Sequence, residues 1–391
     1  MRILHTSDWH VGKVLKGQSR MDEHLAVLRE LVDIARDERP DLVIVAGDLF
    51  DTAAPTPDAT RVVVRALTAL RGTGADVVAI AGNHDNGAQL DALRSWADAA
   101  GITLRGTVRD RPAEHVVEGR TGDGEPWRLV ALPFLSQRYA VRATEMFALS
   151  AAETNQTYAD HVGRLLAALC ADFDGSDRQE PAVNLVTAHL TVLGGTMGGG
   201  ERDAHTIQAY AVPATVFSSA THYVALGHLH RRQSVLGPCP VHYSGSPLAV
   251  DFGEEENTPS VTLVEVGTST PAKTREVAVE SALPLRTVRG TLAELSKVDE
   301  GDAWLRVYVR ERPRAGLREA VQERLPRALE VRIDPTVLAE AASTGDEAAE
   351  RAGRTRRAPG ELFADYLASR GHEDPAVADL FNRLYGEVRS S

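Results

Sequence analysis

The stretch HTSDWHVGK at residues 5–13 places an aspartate and a histidine two positions apart, Asp8 and His10. They follow the apolar residues Ile3 and Leu4 and precede a glycine, which is where a buried strand ends in a loop. Carboxylate and imidazole groups bind metal ions and also serve in acid–base catalysis. A single pair of this kind is more often an ordinary polar strand end, so its meaning depends on the rest of the chain.

Four other strand-like segments also end in residues that can bind a cation. Three of these endings read GDLFD, GNHD and GHLH, and the fourth is a single histidine after an apolar run. GD and GNHD are also good turn sequences, and a histidine after a strand is most often a surface residue. Ligands of α/β sheets, however, gather beyond the carboxyl ends of the strands, so the five endings should meet in space. The sequence therefore predicts one metal centre with the candidate ligands Asp8, His10, Asp48, Asn83, His189, His228 and His230.

The segments that position these residues follow two patterns. Continuous apolar and β-branched runs predict strands that are buried on both faces of a sheet, and apolar residues at helical spacing predict the helices between them. Their alternation over the first 265 residues predicts an α/β fold, with short strands in a layered sandwich. We expect strands within 41–50, 76–85, 182–190 and 222–230, and helices over 20–38 and 57–71.

Composition limits the kinds of metal site that are possible. The chain has 391 residues, of which 43% are hydrophobic and 25% charged, as expected for a globular protein of more than one domain. Its two cysteines, Cys170 and Cys239, lie far apart and outside C-x-x-C spacing. A disulfide framework and a thiolate zinc site are therefore not expected.

Net charge and hydropathy narrow the possible partners. The formal net charge of −12 argues against a generic basic coat for nucleic acid. It does not exclude a nuclease, because bound divalent ions add local positive charge. No run of about 18 apolar residues occurs, and residues 1–2 lead directly into a strand, so we expect a cytoplasmic protein without membrane contact.

The ligand types favour two ions over one. A carboxylate can bridge two cations, and a thiolate-free set of imidazole, carboxylate and amide ligands favours Mn²⁺ or a neighbouring first-row ion over structural zinc. Two such ions activate water and stabilise the entering and leaving oxygens of phosphoester hydrolysis. In this assignment Asp48 bridges, Asp8, His10 and His230 complete one ion, and Asn83, His189 and His228 complete the other.

His84 is the candidate catalytic residue. Adjacent residues of an extended segment point in opposite directions, so if Asn83 faces a metal ion, His84 faces the place where a substrate phosphate would lie. There it could stabilise developing charge or protonate the leaving oxygen. The alternative is a turn histidine that is bonded to the backbone.

Together these motifs resemble the calcineurin-like metallophosphoesterase superfamily, strongly over residues 1–256 and more loosely beyond. The DNA-nuclease members of this superfamily have the most similar motif sequences. The segments that carry this similarity are HTSDWHVGK, VAGDLFDTAAPTPDA, IAGNHD, YVALGHLHRRQ and YSGSPLAVDFGE. The resemblance implies a four-layer α/β sandwich, two Mn²⁺ ions, and cleavage of DNA at ends and hairpins. It matches the seven candidate ligands to the family's metal ligands and His84 to its catalytic histidine.

A glycine-rich segment follows the fourth strand ending. The family has a loop near DNA at residues 193–206, and so many glycines predict a mobile segment. Glu201 and Arg202 match residues common in that loop. Three further histidines match no ligand position and are expected to be structural or surface residues, namely His205, His222 and His242.

The C-terminal third has a different composition. Residues 1–265 are expected to form the nuclease domain, and 275–335 a small α+β unit that is rich in arginine, which the resemblance makes a capping domain. Residues 339–360 have little apolar content and predict a flexible linker. Residues 361–387 predict two amphipathic helices, and the resemblance implies that they bind an SMC-like ATPase, with a homodimer of this chain in a heterotetramer.

Two other functions stay open at this point. The chain could be a different dinuclear phosphoesterase, such as a phosphatase or a cyclic-nucleotide phosphodiesterase, or a non-catalytic scaffold with a vestigial site. The complete set of candidate ligands argues against the scaffold. The additional C-terminal units argue against a small-molecule enzyme, which could end near residue 260.

Overall fold

Two six-stranded sheets pack face to face in a computed structural model of the chain. One apolar cluster lies between the sheets, and each outer face carries a further cluster beneath helices. The four-layer α/β sandwich is therefore confirmed. The structure describes residues 1–109, 111–136, 140, 157–174, 180–201, 210–339, 363, 367, 377 and 379–381.

The first sheet contains the strands that lead to most of the N-terminal motifs. Four of its strands run parallel and two antiparallel strands from later in the chain complete one edge. Its order is β16-β15-β1-β4-β5-β6, with β1 (Arg2–Thr6), β4 (Leu42–Val45), β5 (Asp76–Ile80), β6 (Ile102–Arg105), β15 (Ser260–Gly267) and β16 (Thr270–Ala278).

Helices cover the outer face of this sheet. The two predicted helices are confirmed as α1 (Met21–Glu38) and α2 (Pro57–Arg71), and two short ones follow, α3 (Gly87–Ala92) and α4 (Arg94–Ala99). Thr56 caps α2, because its side chain accepts a hydrogen bond from the Ala59 amide. The hairpin of β2 (Val14–Leu15) and β3 (Gln18–Ser19) precedes α1.

The second sheet carries the later motifs. Its order is β13-β14-β12-β9-β8-β7, with helix α5 (Tyr158–Leu169) packed on its outer face. The strands are β7 (Val116–Arg120), β8 (Pro126–Leu132), β9 (Val183–His189), β12 (Tyr223–Gly227), β13 (Gln233–Val235) and β14 (Val241–Tyr243), and a short parallel pair, β10 (Thr191–Val192) and β11 (Ala211–Val212), lies beside it.

Period-two burial explains why the central strands are continuously apolar. In β4, Ile44 enters the cluster between the sheets, while Val43 and Val45 face the helices. His5 is the polar exception between the sheets, and its ring nitrogens lie 3.0 Å from the Tyr223 hydroxyl and 3.1 Å from the Leu226 carbonyl. Burial lowers the pKa of His5 to about 3, so the ring is neutral.

A small α/β unit with its own apolar core follows. It has the expected order of strand–helix, strand, helix, strand. Residues 275–278, which we expected in this unit, instead belong to β16, because they pair along β15 in the first sheet. The elements are β17 (Leu285–Gly290), α6 (Leu292–Leu295), β18 (Trp304–Val309), α7 (Leu317–Gln322) and β19 (Ala328–Ile333), and the three strands are parallel.

The small unit is attached to the sandwich through a buried ion pair. Arg20 pairs with Glu23 and donates to the Ala249 carbonyl at 2.9 Å. Trp304 of the small unit donates its indole N–H to Glu23 Oε1 at 2.8 Å. Because Arg20 is fully buried, this charge pair requires partners of this kind.

The predicted linker at 339–360 lies outside the described residues except for its first position, as does most of 361–387. The described residues of the latter stretch are helical, and the rings of Phe363 and Phe381 stack with centroids 4.2 Å apart. The two predicted helical segments therefore contact each other. Among the described residues, no helix is long and apolar enough to cross a membrane.

Replacing Trp304 by phenylalanine should weaken the attachment of the small unit. The substitution keeps an aromatic ring but deletes the N–H donor to the buried Glu23 carboxylate, so the free energy of unfolding should fall by about 0.5–1.5 kcal/mol in urea denaturation. Trp96→Phe is the matched control, because that indole makes no hydrogen bond among the described residues. An equal loss in both variants would contradict the attachment.

Candidate metal centre

All seven predicted ligands converge, and they come from both sheets. Asp8, Asp48 and Asn83 follow three neighbouring parallel strands of the first sheet, β1, β4 and β5. His189 is the last residue of β9, and His228 and His230 follow β12 beside it in the second sheet. The strand ends of the two facing sheets thus surround one point.

The first group of side chains is Asp8, His10 and His230. The Nε2 atoms of the two histidines face each other at 3.1 Å, and His230 Nε2 lies 3.9 Å from Asp8 Oδ1. Ligand atoms of all three residues lie within 4.8 Å of one another. All three are buried, with at most 3% of their surface exposed. A cation between them would have a carboxylate and two imidazole ligands.

The second group is Asn83, His189 and His228. Asn83 Oδ1 lies 2.9 Å from His189 Nε2 and 2.8 Å from His228 Nδ1. An amide oxygen and two imidazole nitrogens therefore surround the same small space. This set lacks a carboxylate of its own.

Asp48 supplies the carboxylate that the two groups share. Its Oδ2 lies 3.7 Å from His10 Nε2 and 3.5 Å from His189 Nε2, while its Oδ1 accepts the His84 amide at 2.7 Å. Burial alone would raise the pKa of this carboxyl, yet the positive charge of His189 and the hydrogen bond from His189 hold it well below its usual range. The side chain is thus an anion located between the groups.

The electrostatics of the histidines follow from this anion. Burial opposes protonation of His189, but the Asp48 carboxylate outweighs it and raises the pKa of His189 to about 9. His10 is also fully buried, and burial lowers its pKa well below the usual value. Without an ion, the anionic centre thus draws a proton onto His189. A metal ion would supply the positive charge in place of that proton.

The backbone at the site adopts an uncommon conformation. Among the described residues, six other than glycine have a positive φ, and four of them are Asp8, His10, Asp48 and His228. Left-handed backbone is costly for such residues and persists where the surroundings impose it. Here it turns the chain sharply at each strand end, so that the side chains enter the space between the sheets.

The glycines that directly precede three candidate ligands, Asp48, Asn83 and His228, have a steric role. A Cβ atom on Gly82 would lie 2.1 Å from Asp48 Oδ1, and one on Gly47 would lie 2.2 Å from His189 Nδ1. A Cβ on Gly227 would lie 2.1 Å from the Ala46 carbonyl oxygen. Only glycine therefore allows the strand ends to approach closely enough for the ligands to meet.

His84 lies beside the centre and is bonded to the backbone through one nitrogen. Its Nδ1 lies 2.8 Å from the Asp51 carbonyl, and its ring packs edge-on against His10 with centroids 4.6 Å apart. A ligand atom of His84 also comes within 4.8 Å of those of His10 and Asp48. The backbone bond and a position at the centre thus occur together in His84 and do not exclude each other.

The donors present are compatible with two metal ions. Imidazole, carboxylate and amide oxygen are ligands for first-row divalent ions, and no thiolate lies among them. His10 Nδ1 has no hydrogen-bond partner among the described residues and lies 3.7 Å from Asp51 Oδ1. If Nε2 of His10 binds an ion, Nδ1 keeps the proton and faces that carboxylate, which is the common arrangement for a ligating histidine.

Three acidic residues support the centre in roles that the sequence did not predict. Asp51 holds His84, and Glu254 accepts from His230 Nδ1 at 2.8 Å. Asp85 accepts from the amides of Gly82, Leu49 and Phe50 and so joins two strand-end loops. Asp51 and Asp85 stand inside the GDLFD and GNHD motifs, where a supporting role could have been inferred. Glu254 ends the segment YSGSPLAVDFGE, but nothing in that segment indicates a contact with His230.

Two of the remaining histidines have structural partners. His222 contacts only backbone in the contacts described, namely the Asn184 amide at 2.9 Å and the Thr268 carbonyl at 3.2 Å. His242 stacks on Tyr223. The structural roles expected for both agree with these contacts, whereas Arg202 and His205 lie outside the described residues.

Comparison with known sequences agrees with this geometry. Residues 1–232 match the calcineurin-like phosphoesterase family, and 282–370 match the SbcD_C family, described as the type 5 capsule protein repressor C-terminal domain. The chain is 35% identical to the SbcD subunit of the SbcCD nuclease of Bacillus subtilis strain 168, over 82% of this chain and 81% of that protein. The chain belongs to the SbcD family of calcineurin-like phosphoesterases.

Other SbcD relatives match over similar or greater lengths. The SbcD subunit of the SbcCD nuclease of Escherichia coli strain K12 is 33% identical over 76% of this chain and 72% of that protein. The corresponding protein of Rhodobacter capsulatus is 31% identical over 93% of this chain and 94% of that protein. The SbcD likeness thus extends beyond the metal centre into the C-terminal third.

Replacing Asp48 by alanine should remove both metal ions. The substitution deletes the one carboxylate that lies between the two groups, yet it leaves the apolar layers of the sandwich intact, so the fold should persist by circular dichroism. Metal analysis of the purified variant should find neither ion at stoichiometric occupancy. Two ions still bound per chain would rule out Asp48 as the shared ligand.

Proposed function

We propose that this SbcD-family chain is the nuclease subunit of an SbcCD-type complex and hydrolyses DNA phosphodiester bonds with two Mn²⁺ ions. It would act as an exonuclease on DNA ends and as an endonuclease on hairpins and single strands, in repair, recombination and replication. The observation that carries the proposal is the convergence of the seven candidate ligands, with Asp48 between the two groups and His84 beside them.

The residues have distinct proposed roles. Asp8, His10 and His230 hold one ion, and Asn83, His189 and His228 hold the other, with Asp48 between them. When bound, such a pair of ions supplies an activated water and charge stabilisation at the phosphoryl group. His84, held by the Asp51 carbonyl, is oriented to protonate or stabilise the leaving oxygen.

The small α/β unit has features of a capping domain that contacts DNA. Arg289 lies over the Tyr308 ring at 4.2 Å on the face of its sheet, which resembles the arginine and aromatic platforms that bind single strands. Several of its arginines also pair with acids, as Arg310 does with Asp334 and Arg332 with Glu330. The net positive surface for DNA is thus smaller than the arginine count implies.

The partner we propose is the SMC-like ATPase SbcC. The relatives are named as one subunit of the nuclease SbcCD, so they work as part of a complex. Residues 361–387 would dock two amphipathic helices on the ATPase, and Val377 and Leu380 are exposed apolar side chains there. Two copies of this chain would join two of the ATPase in a heterotetramer.

An assay of purified protein with manganese separates this function from the others. Linear DNA, hairpin DNA and a chromogenic phosphodiester are offered in parallel. Cleavage of both DNAs supports the nuclease, whereas cleavage of the chromogenic ester alone supports a small-molecule phosphoesterase. Failure to cleave any of them supports the non-catalytic scaffold.

Replacing His84 by alanine should separate catalysis from metal binding. Because His84 is proposed to act on substrate, the variant should keep two ions and lose about 10²–10⁴-fold in the rate of DNA cleavage. Metal analysis and a cleavage assay on the same preparation provide the two measurements. Loss of one ion would make His84 a ligand instead.

Deleting residues 340–391 should separate the nuclease from its partner. All proposed ligands precede residue 231, so manganese-dependent cleavage of short single-stranded DNA should be nearly unchanged. Stable association with the ATPase, and with it ATP-stimulated processing of duplex ends, should be lost. Co-purification of the shortened chain with the ATPase at undiminished affinity would show that the docking element lies elsewhere.

A further inference from the structure

One proposed metal ligand is held by a buried carboxylate from outside the strand-end motifs. His230 Nδ1 lies 2.8 Å from Glu254 Oε1, and both residues are at most 3% exposed. The other ring nitrogen, Nε2, faces His10 at 3.1 Å. A nitrogen bonded to a carboxylate carries the ring proton, so this contact leaves Nε2 as the metal-binding atom.

The Glu254 carboxylate is itself fixed on a short turn. Its Oε2 accepts the Val250 amide at 3.2 Å, and the residue ends a 3₁₀ turn, Phe252–Glu254. The Asp251 side chain caps that turn by accepting the Gly253 amide at 2.9 Å. The carboxylate therefore has a defined position before any ion binds.

The glycine-rich segment packs directly on this turn. A Cβ atom on Gly200 would lie 1.7 Å from Glu254 Oε1, and one on Gly199 would lie 2.6 Å from the Gly253 carbonyl oxygen. Glu201 accepts the His230 amide at 2.9 Å and so anchors the described part of the segment, residues 193–201. The first part of the segment that we expected to be mobile thus encloses the carboxylate and its histidine.

The small α/β unit packs against the other side of the same turn. The Arg306 guanidinium lies over the Phe252 ring at 5.3 Å, and the Thr287 hydroxyl donates to Glu255 at 2.6 Å. Phe252 also packs in an apolar cluster with Leu285 of β17. Contacts with the C-terminal unit therefore help to hold the turn that carries Glu254.

We propose that Glu254 is a positioning residue, whose carboxylate fixes the tautomer and direction of His230 for one of the two metal ions. The glycine segment on one side and the small unit on the other keep this carboxylate in place. The proposal rests on the proposed dinuclear site, and it adds a residue that touches neither metal nor substrate.

Direct metal binding tests the proposal independently of catalysis. Manganese is titrated into the full chain by calorimetry, and the electron paramagnetic resonance spectrum of the loaded protein is recorded. Glu254→Ala should weaken one of the two sites about 10–100-fold and leave the other unchanged. The spectrum should change from that of a coupled ion pair to that of an isolated ion.

The conservative variant distinguishes positioning from a purely structural role. Glu254→Gln keeps an oxygen that can accept from Nδ1, so it should recover part of the affinity that Glu254→Ala loses. Glu256→Gln is the matched control, because this nearby carboxylate is exposed at the surface. Two unchanged manganese sites in both Glu254 variants would overturn the proposal, as would an equal loss at both sites.

A second variant displaces the carboxylate without removing it. In Gly200→Ala the added Cβ would lie 1.7 Å from Glu254 Oε1 and 3.0 Å from His230 Nδ1, so it should disturb the contact between these two residues and weaken the same site. Gly122→Ala is the control, since a Cβ there meets nothing within 4 Å. Unchanged affinity in Gly200→Ala would count against the positioning role.

The wild-type chain distinguishes this inference from the proposed function. If the wild type binds two manganese ions but cleaves no DNA, the nuclease proposal fails while the metal titrations still test Glu254. If the wild type cleaves DNA and the Glu254 variants bind both ions normally, only the positioning role fails.

Discussion

The burial of one carboxylate among histidines is the constraint on which the rest of the site depends. Asp48 is 1% exposed, and an unpaired charge at such a position would cost several kcal/mol. Its oxygens face His10, His189 and the amide of His84 instead. These partners come from three different strand ends of two sheets, so satisfying this one anion requires the sheets to face each other in this register.

The backbone shows what this arrangement costs. Left-handed conformations at residues such as Asp8 and His228, and glycines at positions where a Cβ would overlap a ligand, are local features that the strands alone do not require. They allow four loops to occupy one small space. The glycines of the GD, GN and GH pairs, Gly47, Gly82 and Gly227, therefore allow close packing as well as a turn, since each leaves space for a residue from another loop.

Much of the site could be predicted because its residues stand at strand ends, and a strand end is visible in the sequence. The layered α/β class and the helices α1 and α2 followed from apolar periodicity in the same way. Glu254 could not be found, because its contact with His230 depends on how a distant turn folds back. The expected start of the small unit at residue 275 differs from the structure because β16, an exposed edge strand with alternating polar residues, lacks a strong apolar signal.

The C-terminal unit and the metal centre are structurally connected. Trp304 reaches the buried Glu23, and the Phe252–Glu254 turn contacts both the small unit and His230. Domain contacts within one chain are often loose enough to permit relative motion. Here one of those contacts is made by the turn that carries Glu254, through its residue Phe252, so the position of the small unit and the geometry of one metal site should vary together.

The most direct test of the account is the anomalous diffraction of crystals that contain manganese. The account predicts two peaks within the cluster, one bounded by Asp8, His10 and His230 and the other by Asn83, His189 and His228, with the Asp48 carboxylate between them. A single peak, or a pair of peaks that Asp48 does not touch, would contradict it.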